Sequence, residues 1–314
     1  MSSINKVVVV GGGTMGCAVA AMFNVAGWRV DVVESEASAR LGLLDRVGAA
    51  AQALGADGHR SSLAIHGALA DVDWAGVEIV IECIFENLAL KQALFAELEA
   101  LCPASIPLTS NSSSFPISEI AKGLATQHRM LGLHFFMPAH LVPAVEVVCS
   151  AVSLASTADH VSAIMRAVGK KPIRVKRDIP GFLANRIQHA LMREAIALVE
   201  EGFASAQDVD AAVRYGFGFR YIAAGPLLQK DLAGIDIHCA AATTMYPYLR
   251  TDQQPSAYMR ELVANGDIGV KSPTLRGFYQ WTPEQVALEQ KRYETALLKA
   301  ARILSDEEAA TSPR

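Results

Sequence analysis

Features that mark several large classes of protein are scarce in this 314-residue chain. Charged residues make up 19% of it, the formal net charge is only -4, and no basic stripe or arm is present, which argues against a nucleic-acid partner. No stretch approaches the roughly 20 apolar residues of a membrane span, so we expect no membrane association. The short apolar run near the N-terminus enters a glycine loop at once, unlike a secretory signal peptide.

Cysteine is also scarce. The five cysteines are widely spread and form no Cys-x-x-Cys pair, so the sequence predicts neither a metal site nor a disulfide framework. Scattered free thiols are typical of a reducing compartment, and we therefore expect a cytoplasmic protein. Apolar residues, at 51%, are ample for buried cores. The length suggests about two domains.

The first part of the chain alternates between strand-like and helix-like segments. Strand-like runs at 6–10 and 28–34 flank a glycine turn and an apolar-periodic helix, which is a βαβ unit with a parallel sheet. A helix is predicted over 37–55, and the alternation continues to about residue 178. We therefore predict that residues 1–178 form a Rossmann-type, doubly wound α/β domain.

The pattern changes at a Pro-Gly pair, and the segments that follow it are helical. One long helix is predicted over 227–246, and a loop rich in glycine and aromatic residues over 216–225. Residues 179–314 are therefore predicted to form an all-α C-terminal domain.

A glycine-rich loop joins the first strand to the first helix. It has the form G-x-G-x-x-G, in which Gly11 allows a tight turn, Gly13 the close approach of a pyrophosphate, and Gly16 helix–strand packing. The helix start offers free N–H groups and the positive end of its dipole to phosphates. The residues predicted to bind the cofactor here are Gly11, Gly13, Thr14, Met15 and Gly16.

An acidic residue, Glu34, ends the second strand. A carboxylate there can accept hydrogen bonds from both ribose hydroxyls and would repel a 2′-phosphate, so it favours NAD over NADP. Arg40 is the residue that could reverse this preference, by reaching a 2′-phosphate. The alternative for Arg40 is an ordinary position on a helix surface.

A histidine and a glutamate follow on two later strands. If these strands fold back about residue 140, His134 faces Glu146. A carboxylate on one imidazole nitrogen fixes the tautomer and stabilises the imidazolium that forms when the other nitrogen takes a proton. A purely structural His–Glu hydrogen bond stays open on these residues alone. His140 is a rival base, but it lies at the expected loop tip.

Five stretches together resemble the L-3-hydroxyacyl-CoA dehydrogenase family: VVVVGGGTMG, IECIFENLALKQALF, SNSSSFPISEIA, GLHFFMPAHLVPAVEVV and DIPGFLANRIQHALMREAIALVEEG. The resemblance implies an NAD-binding Rossmann domain and a helical C-terminal domain through which subunits dimerise. It also implies an active site between the two domains. We therefore expect a homodimer.

The resemblance also carries over roles for individual residues. It assigns catalysis to His134 with Glu146 as its partner, and substrate binding as well as catalysis to Ser113 and Asn185. Both can donate hydrogen bonds to the substrate oxygen. It adds three residues to the cofactor-binding set, namely Glu86, Lys91 and Asn111.

Three departures from the acyl-CoA enzymes bear on the substrate. Met137 stands where the family usually has Asn. The segment 37–71 is short and has no lysine, whereas the CoA enzymes carry a long, Lys-rich helical hairpin there. Arg220 resembles members that act on free hydroxy acids, such as L-gulonate 3-dehydrogenase, carnitine dehydrogenase and a pyridine-carboxylate 5-dehydrogenase of vitamin B6 degradation. Its planar fork suits a carboxylate, although a structural arginine is the alternative.

The sequence therefore predicts an NAD-dependent dehydrogenase that interconverts an alcohol and a carbonyl on a small substrate, with a carboxylate β to the reacting carbon. One alternative is a short-chain L-3-hydroxyacyl-CoA dehydrogenase. Another, from a different class, is a non-catalytic NAD-binding structural protein.

Overall fold

The computed structural model describes residues 5–55 and 62–311. The chain divides into two compact units, Met1–Asn185 and Arg186–Arg314. The sequence predicts a boundary at 178–179, a few residues earlier.

The first unit is built on one eight-stranded sheet of order β3-β2-β1-β4-β5-β6-β7-β8. All neighbouring strands pair in parallel except β6 and β7, which form an antiparallel hairpin. The strands are β1 (Lys6–Val10), β2 (Arg29–Val33), β3 (Leu63–His66), β4 (Val77–Glu82), β5 (Leu108–Ser110), β6 (Met130–Phe135), β7 (Ala144–Val148) and β8 (Lys171–Val175). The predicted Rossmann-type fold is confirmed.

Helices cover both faces of this sheet, as a parallel sheet requires. They are α1 (Thr14–Val25), α2 (Ala37–Arg40), α3 (Leu43–Ala53), α4 (Leu88–Leu101), α5 (Ile117–Ile120) and α6 (Ala155–Ala167). Alternation along β1 shows why two cores form. Val7 and Val9 belong to one buried cluster, and Val8 and Val10 belong to the other.

The predicted helix over 37–55 is two helices. It breaks at Leu41–Gly42, where Gly42 adopts φ 67° and precedes α3. A positive φ is cheap for glycine and ends a right-handed helix.

The second unit is helical, as predicted. Its α-helices are α7 (Ala184–Glu200), which begins in the first unit, α8 (Ala206–Ala211), α9 (Pro226–Ala233), α10 (Ile235–Met245), α11 (Ala257–Ala264) and α12 (Pro283–Thr311). The predicted single helix over 227–246 is wrong, because Gly234 at φ 101° separates α9 from α10. The predicted loop over 216–225 contains a 3-10 helix, Gly218–Ile222. Among the helices that the structure describes, none combines the length and apolarity needed to cross a bilayer.

Candidate active site

The glycine turn between β1 and α1 contains two kinds of glycine. The fold itself requires Gly11 and Gly16, whereas it does not require Gly13. Gly11 has φ 105°, and a Cβ there would lie 2.7 Å from the Cys83 carbonyl oxygen. A Cβ on Gly16 would lie 1.8 Å from the Gly11 oxygen. By contrast, a Cβ on Gly13 would meet no protein atom within 4 Å. The exposed space beside Gly13 is therefore open for a ligand.

This open space lies at the start of α1, whose N-cap is Gly13 and has no side-chain cap. Thr14 is exposed and Met15 half-buried. Uncapped N–H groups at a helix start bind phosphate oxygens, so the turn fits the pyrophosphate of a dinucleotide.

Glu34 lies beside the same turn, just beyond β2. Its Oε2 accepts from the Gly12 N–H at 2.8 Å and its Oε1 from the Glu36 N–H at 3.0 Å. Arg40 donates through Nη1 to the main-chain oxygens of Glu34 and Ser35, at 2.7 and 2.9 Å. The carboxylate is thus held next to the glycine loop, as NAD recognition requires.

The β6–β7 hairpin brings the predicted acid–base pair together. His134 and Glu146 are directly paired in its register, as the fold-back about residue 140 predicts. His134 is 3% exposed and Glu146 is fully buried. The His134 Nδ1–H donates to Glu146 Oε2 at 2.8 Å. Because a carboxylate only accepts, this bond leaves Nε2 as the nitrogen that can take a proton.

Glu146 is itself held by the chain that leads into α7. Its Oε1 accepts from the N–H groups of Leu183 and Ala184, both at 3.0 Å. Burial acts to raise the pKa of the Glu146 carboxyl, but the hydrogen bonds from His134, Ala184 and Leu183 outweigh it and lower the pKa below its usual value. The carboxylate therefore stays ionised beside the imidazole.

Ser113 meets the other side of the imidazole. Its Oγ lies 3.1 Å from His134 Nε2, and the residue is exposed whereas His134 is buried. Two aromatic rings border the imidazole, with centroids 4.9 Å (Phe136) and 5.5 Å (Phe182) away. The buried imidazole thus has polar partners at its two nitrogens and aromatic rings beside it.

Asn111, predicted to bind the cofactor, has its side-chain oxygen on the main chain of β6. Oδ1 accepts from the Phe135 N–H at 2.9 Å. The Asn111 N–H donates to the main-chain oxygen of Glu82 at 2.9 Å. Asn111 therefore joins the loop after β5 to both neighbouring strands.

Glu86 and Lys91 lie together near this loop. The side chain of Lys91 is 1% exposed, and its Nζ lies 3.3 Å from Glu86 Oε2 and 2.6 Å from Glu82 Oε1. Glu86 is the more open of the two acids, with 38% of its side chain exposed. Sequence reasoning missed Glu82. The available signal was a carboxylate inside an otherwise apolar strand, which needs a buried partner.

The remaining predicted residues lie further along the chain. Asn185 follows Ala184, whose N–H holds Glu146, in the first turn of α7. Arg220 is exposed in the second unit, and its Nε and Nη1 lie 3.0 and 2.7 Å from the end of the Gln229 side-chain amide, whose oxygen accepts from both when the amide is turned to face them. Within the described residues, no cluster of three or more His, Cys, Asp or Glu could hold a metal ion.

A Rossmann domain whose glycine turn leaves room for a pyrophosphate, together with a buried histidine–carboxylate pair, defines a class of nicotinamide-dependent oxidoreductases. The comparison with protein families makes this specific. Residues 6–179 match the NAD binding domain of 3-hydroxyacyl-CoA dehydrogenase, and residues 181–281 match its C-terminal domain. The chain belongs to the 3-hydroxyacyl-CoA dehydrogenase family, and it is an NAD-dependent dehydrogenase that acts on CH–OH groups.

Two relatives and one solved structure are similar over most of this chain. 5-Formyl-3-hydroxy-2-methylpyridine 4-carboxylate 5-dehydrogenase from Mesorhizobium japonicum is 29% identical over 97% of this chain and 100% of its own length. 3-Hydroxyadipyl-CoA dehydrogenase from Escherichia coli is 32% identical over 92% of this chain, which spans 61% of that relative. A structure of a 5-formyl-3-hydroxy-2-methylpyridine 4-carboxylic acid 5-dehydrogenase, described as an NAD+-dependent dismutase, is 28% identical with TM-score 0.88, covering 96% of this chain and 99% of that one.

Proposed function

We propose that this dehydrogenase acts on a small free acid whose carboxylate lies β to the reacting carbon, with His134 as its base. The observation that carries the proposal is the contact series Ser113 Oγ, His134 Nε2, His134 Nδ1 and Glu146 Oε2, at 3.1 and 2.8 Å. A base must reach the hydroxyl proton, and its partner must stabilise the charge that results.

In the proposed mechanism the side chains hold the substrate and move one proton. Ser113 and Asn185 donate to the substrate oxygen and orient it. His134 Nε2 accepts the hydroxyl proton, and Glu146 stabilises the imidazolium through Nδ1. When bound, NAD+ supplies the acceptor for the hydride that leaves the carbon. Glu86 and Asn111 complete the cofactor side of the site, with Glu34 and the glycine turn, and the buried Lys91 lies behind Glu86.

Arg220 is proposed to bind the substrate carboxylate. A guanidinium has five N–H donors in a planar fork, and with the Gln229 amide oxygen turned towards it two of them are used and the others stay available to a carboxylate. The relative that matches this chain end to end is named for a pyridine carboxylate. The segment 37–71 also contains no lysine, unlike the Lys-rich hairpin of the CoA enzymes, and this argues against a CoA substrate.

A substrate screen with NAD+ tests this proposal. Free β-hydroxy acids, aromatic hydroxymethyl-carboxylates and 3-hydroxyacyl-CoA thioesters would be compared by NADH formation. We expect kcat/KM to be highest for a free acid. A preference for the thioesters would favour the short-chain acyl-CoA alternative. Tight NADH binding with no turnover of any substrate would favour the non-catalytic alternative.

The carboxylate contact has its own test. Arg220→Met should raise KM for the preferred acid by about 100-fold, because a charge-assisted bidentate contact is worth a few kcal/mol. Arg260→Met, at another exposed arginine of the second unit, is the matched control. An unchanged KM in Arg220→Met would remove the carboxylate role while leaving the dehydrogenase intact.

The screen should include aromatic aldehyde-carboxylates, because the similar solved structure is described as a dismutase. In a dismutation, one hydrated aldehyde is oxidised to an acid by NAD+, and a second aldehyde is reduced to an alcohol by the NADH produced. Equal amounts of acid and alcohol without net NADH would show this activity in the present chain.

We further propose that the protein is a cytoplasmic homodimer associating through its helical C-terminal domain. Large apolar side chains are exposed along the helices of the second unit, including Leu227, Leu232 and Ile237. Contiguous exposed apolar surface is typical of a protein interface. All five cysteines are free, which supports the reducing compartment.

A further inference from the structure

A fully buried carboxylate stands at the end of β4, next to the proposed site. Glu82 Oε1 accepts from the Lys91 ammonium at 2.6 Å and from the Ile84 N–H at 2.7 Å. Its Oε2 accepts from the Ser110 hydroxyl at 2.5 Å. Glu82 therefore joins three segments: the end of β4, the first turns of α4 and the end of β5.

The other member of this pair, Lys91, is buried as well. Its ammonium also reaches Glu86 Oε2 at 3.3 Å and the Ile84 main-chain oxygen at 3.3 Å. Removing two charges from water costs several kcal/mol per ion, and a buried pair recovers this only with good geometry and further hydrogen bonds. Such a pair contributes little net stability. Its effect on the structure lies in the segments that it holds in place.

It holds the loop that carries Ser113. The Ser110 hydroxyl, fixed by Glu82, accepts from the Ser112 N–H at 3.1 Å. Glu86, fixed by Lys91, accepts through Oε1 from the Ser112 hydroxyl at 2.6 Å and the Ser114 N–H at 2.9 Å. The residues on both sides of Ser113 are thus tied to the buried pair.

The charge on Glu86 agrees with this arrangement. Its partial burial acts to raise its pKa, but the bonds from Ser112, Lys91 and Ser114 outweigh burial and lower the pKa below its usual value. Glu86 is therefore an anion that accepts from the loop, and Lys91 supplies the opposite charge behind it.

We propose that Glu82 and Lys91 are positioning residues, which set the place of Ser113 against His134 through Ser110 and Glu86. This inference rests on the proposed function, because it assumes that Ser113 orients the substrate. It gives Lys91 a different role from the direct cofactor contact expected from the sequence. Its ammonium lies between two carboxylates, with 1% of the side chain exposed.

A double-mutant cycle on the full-length protein tests the inference. Glu82→Gln keeps the shape of the side chain but removes the charge that holds Lys91. We expect kcat to fall about tenfold, since small misplacements of a positioning group can cost up to 100-fold. NADH affinity should stay within about twofold, because the cofactor turn is untouched. Glu82→Gln should cause no further loss in a Ser113→Ala background, because it acts through Ser113.

Two outcomes overturn the inference without touching the proposed function. One is that the losses from Glu82→Gln and Ser113→Ala multiply in the double variant, as expected for a general structural defect. The other is that NADH binding weakens while kcat is kept, as expected for a cofactor contact. If Ser113→Ala alone keeps its kcat, the substrate role of Ser113 is wrong and the inference falls with it.

Ser112→Ala supplies a milder version of the same test, in case Glu82→Gln does not fold. It removes the hydroxyl that donates to Glu86 and leaves the buried pair intact. It should lower kcat severalfold, and this loss should also vanish in the Ser113→Ala background. Ser118→Ala, at the exposed start of α5, is the control and should leave kcat unchanged. A Ser112→Ala enzyme with full kcat would contradict the inference.

Discussion

The two units of the chain differ sharply in how they cover their apolar residues. In the first unit, whole strands such as β1 are buried, and two continuous clusters lie on the two faces of the sheet. Among the described residues of the second unit, the buried side chains are Ile196, Ala197 and Ser272. Many of its large apolar residues are exposed instead, with Leu227 at 84% and Leu232 at 77%.

This difference separates two tasks. The first unit is stabilised by its own core and carries the proposed acid–base pair, so in the proposed mechanism a single chain contains the groups that transfer the proton. The second unit exposes large apolar side chains, and we propose that a second copy of the chain covers them. Chemistry and assembly should therefore respond to different substitutions.

The largest effect is expected from His134→Gln. Turnover should fall about 10²–10⁴-fold, the usual contribution of a general base, while NADH affinity and the oligomeric state stay unchanged. Steady-state kinetics and NADH titration would measure this. His128→Gln, at an exposed histidine of the same unit, is the control. Near-normal turnover in His134→Gln would show that the base lies elsewhere.

Ile237→Asp in α10 should weaken dimerisation, the role proposed for the second unit, and leave the chemistry of the first unit unchanged. Ile237 is 66% exposed in the single chain. If the partner covers it, a buried and unpaired carboxylate should weaken dimerisation by about 100-fold or more. Light scattering across a dilution series measures this, with Val152→Asp in the first unit as the control. An unchanged association constant would place the interface elsewhere.

A pH effect on stability should arise in the first unit at Lys170. Lys170 is 4% exposed, and its ammonium donates to the main-chain oxygens of Ala139 and Val142 at 2.6 and 2.7 Å, in the β6–β7 loop. Burial lowers its pKa to about 8. Between that pH and the ordinary lysine pKa, the unfolded chain binds more protons, so stability rises with pH by on the order of 2 kcal/mol.

Lys170→Met should remove that increase and leave two main-chain oxygens without their donor. The free energy of unfolding would be measured in urea between pH 8 and 10, with hydrogen exchange of the β1 amides as the reporter of the first unit. In Lys170→Met it should no longer rise with pH. Lys176→Met, at an exposed lysine nearby, should keep the wild-type slope. The same slope in all three proteins would mean that Lys170 does not titrate in this range.

The smallest effect concerns one glycine. Gly13→Ala should leave the melting temperature nearly unchanged, because no protein atom lies within 4 Å of the added Cβ. It should weaken NADH binding about tenfold, since the methyl group takes space needed by the pyrophosphate. Calorimetry measures both quantities. Gly48→Ala in α3 is the control, and equal NADH affinities in the two variants would remove the pyrophosphate from this turn.

The sequence pattern alone predicted two features of the candidate site, the glycine turn and the pairing of two strand residues. The glycine spacing after a β-branched run fixes the turn, and the pairing of His134 with Glu146 follows from a fold-back about residue 140. Both depend on residues close in the sequence. Their geometry is therefore set by chain connectivity, which a sequence displays directly.

The features that the sequence did not reveal depend on distant partners. Glu82 is explained by Ser110, which lies 28 residues away, and Lys170 by carbonyls that no side-chain pattern displays. Helix breaks were missed for another reason. Gly42 and Gly234 stand inside helix-like stretches, and only their positive φ angles show that the chain turns there.

The single antiparallel pair in the sheet has a consequence for how this site can vary among descendants of the chain. His134 and Glu146 face each other because of the hairpin register, so the two strands that carry them are constrained in length. Inserting one residue into β6 or β7 would turn His134 or Glu146 to the opposite face of the sheet. Sequence changes within β6 and β7 should therefore be substitutions, and insertions should be confined to the tip of the hairpin.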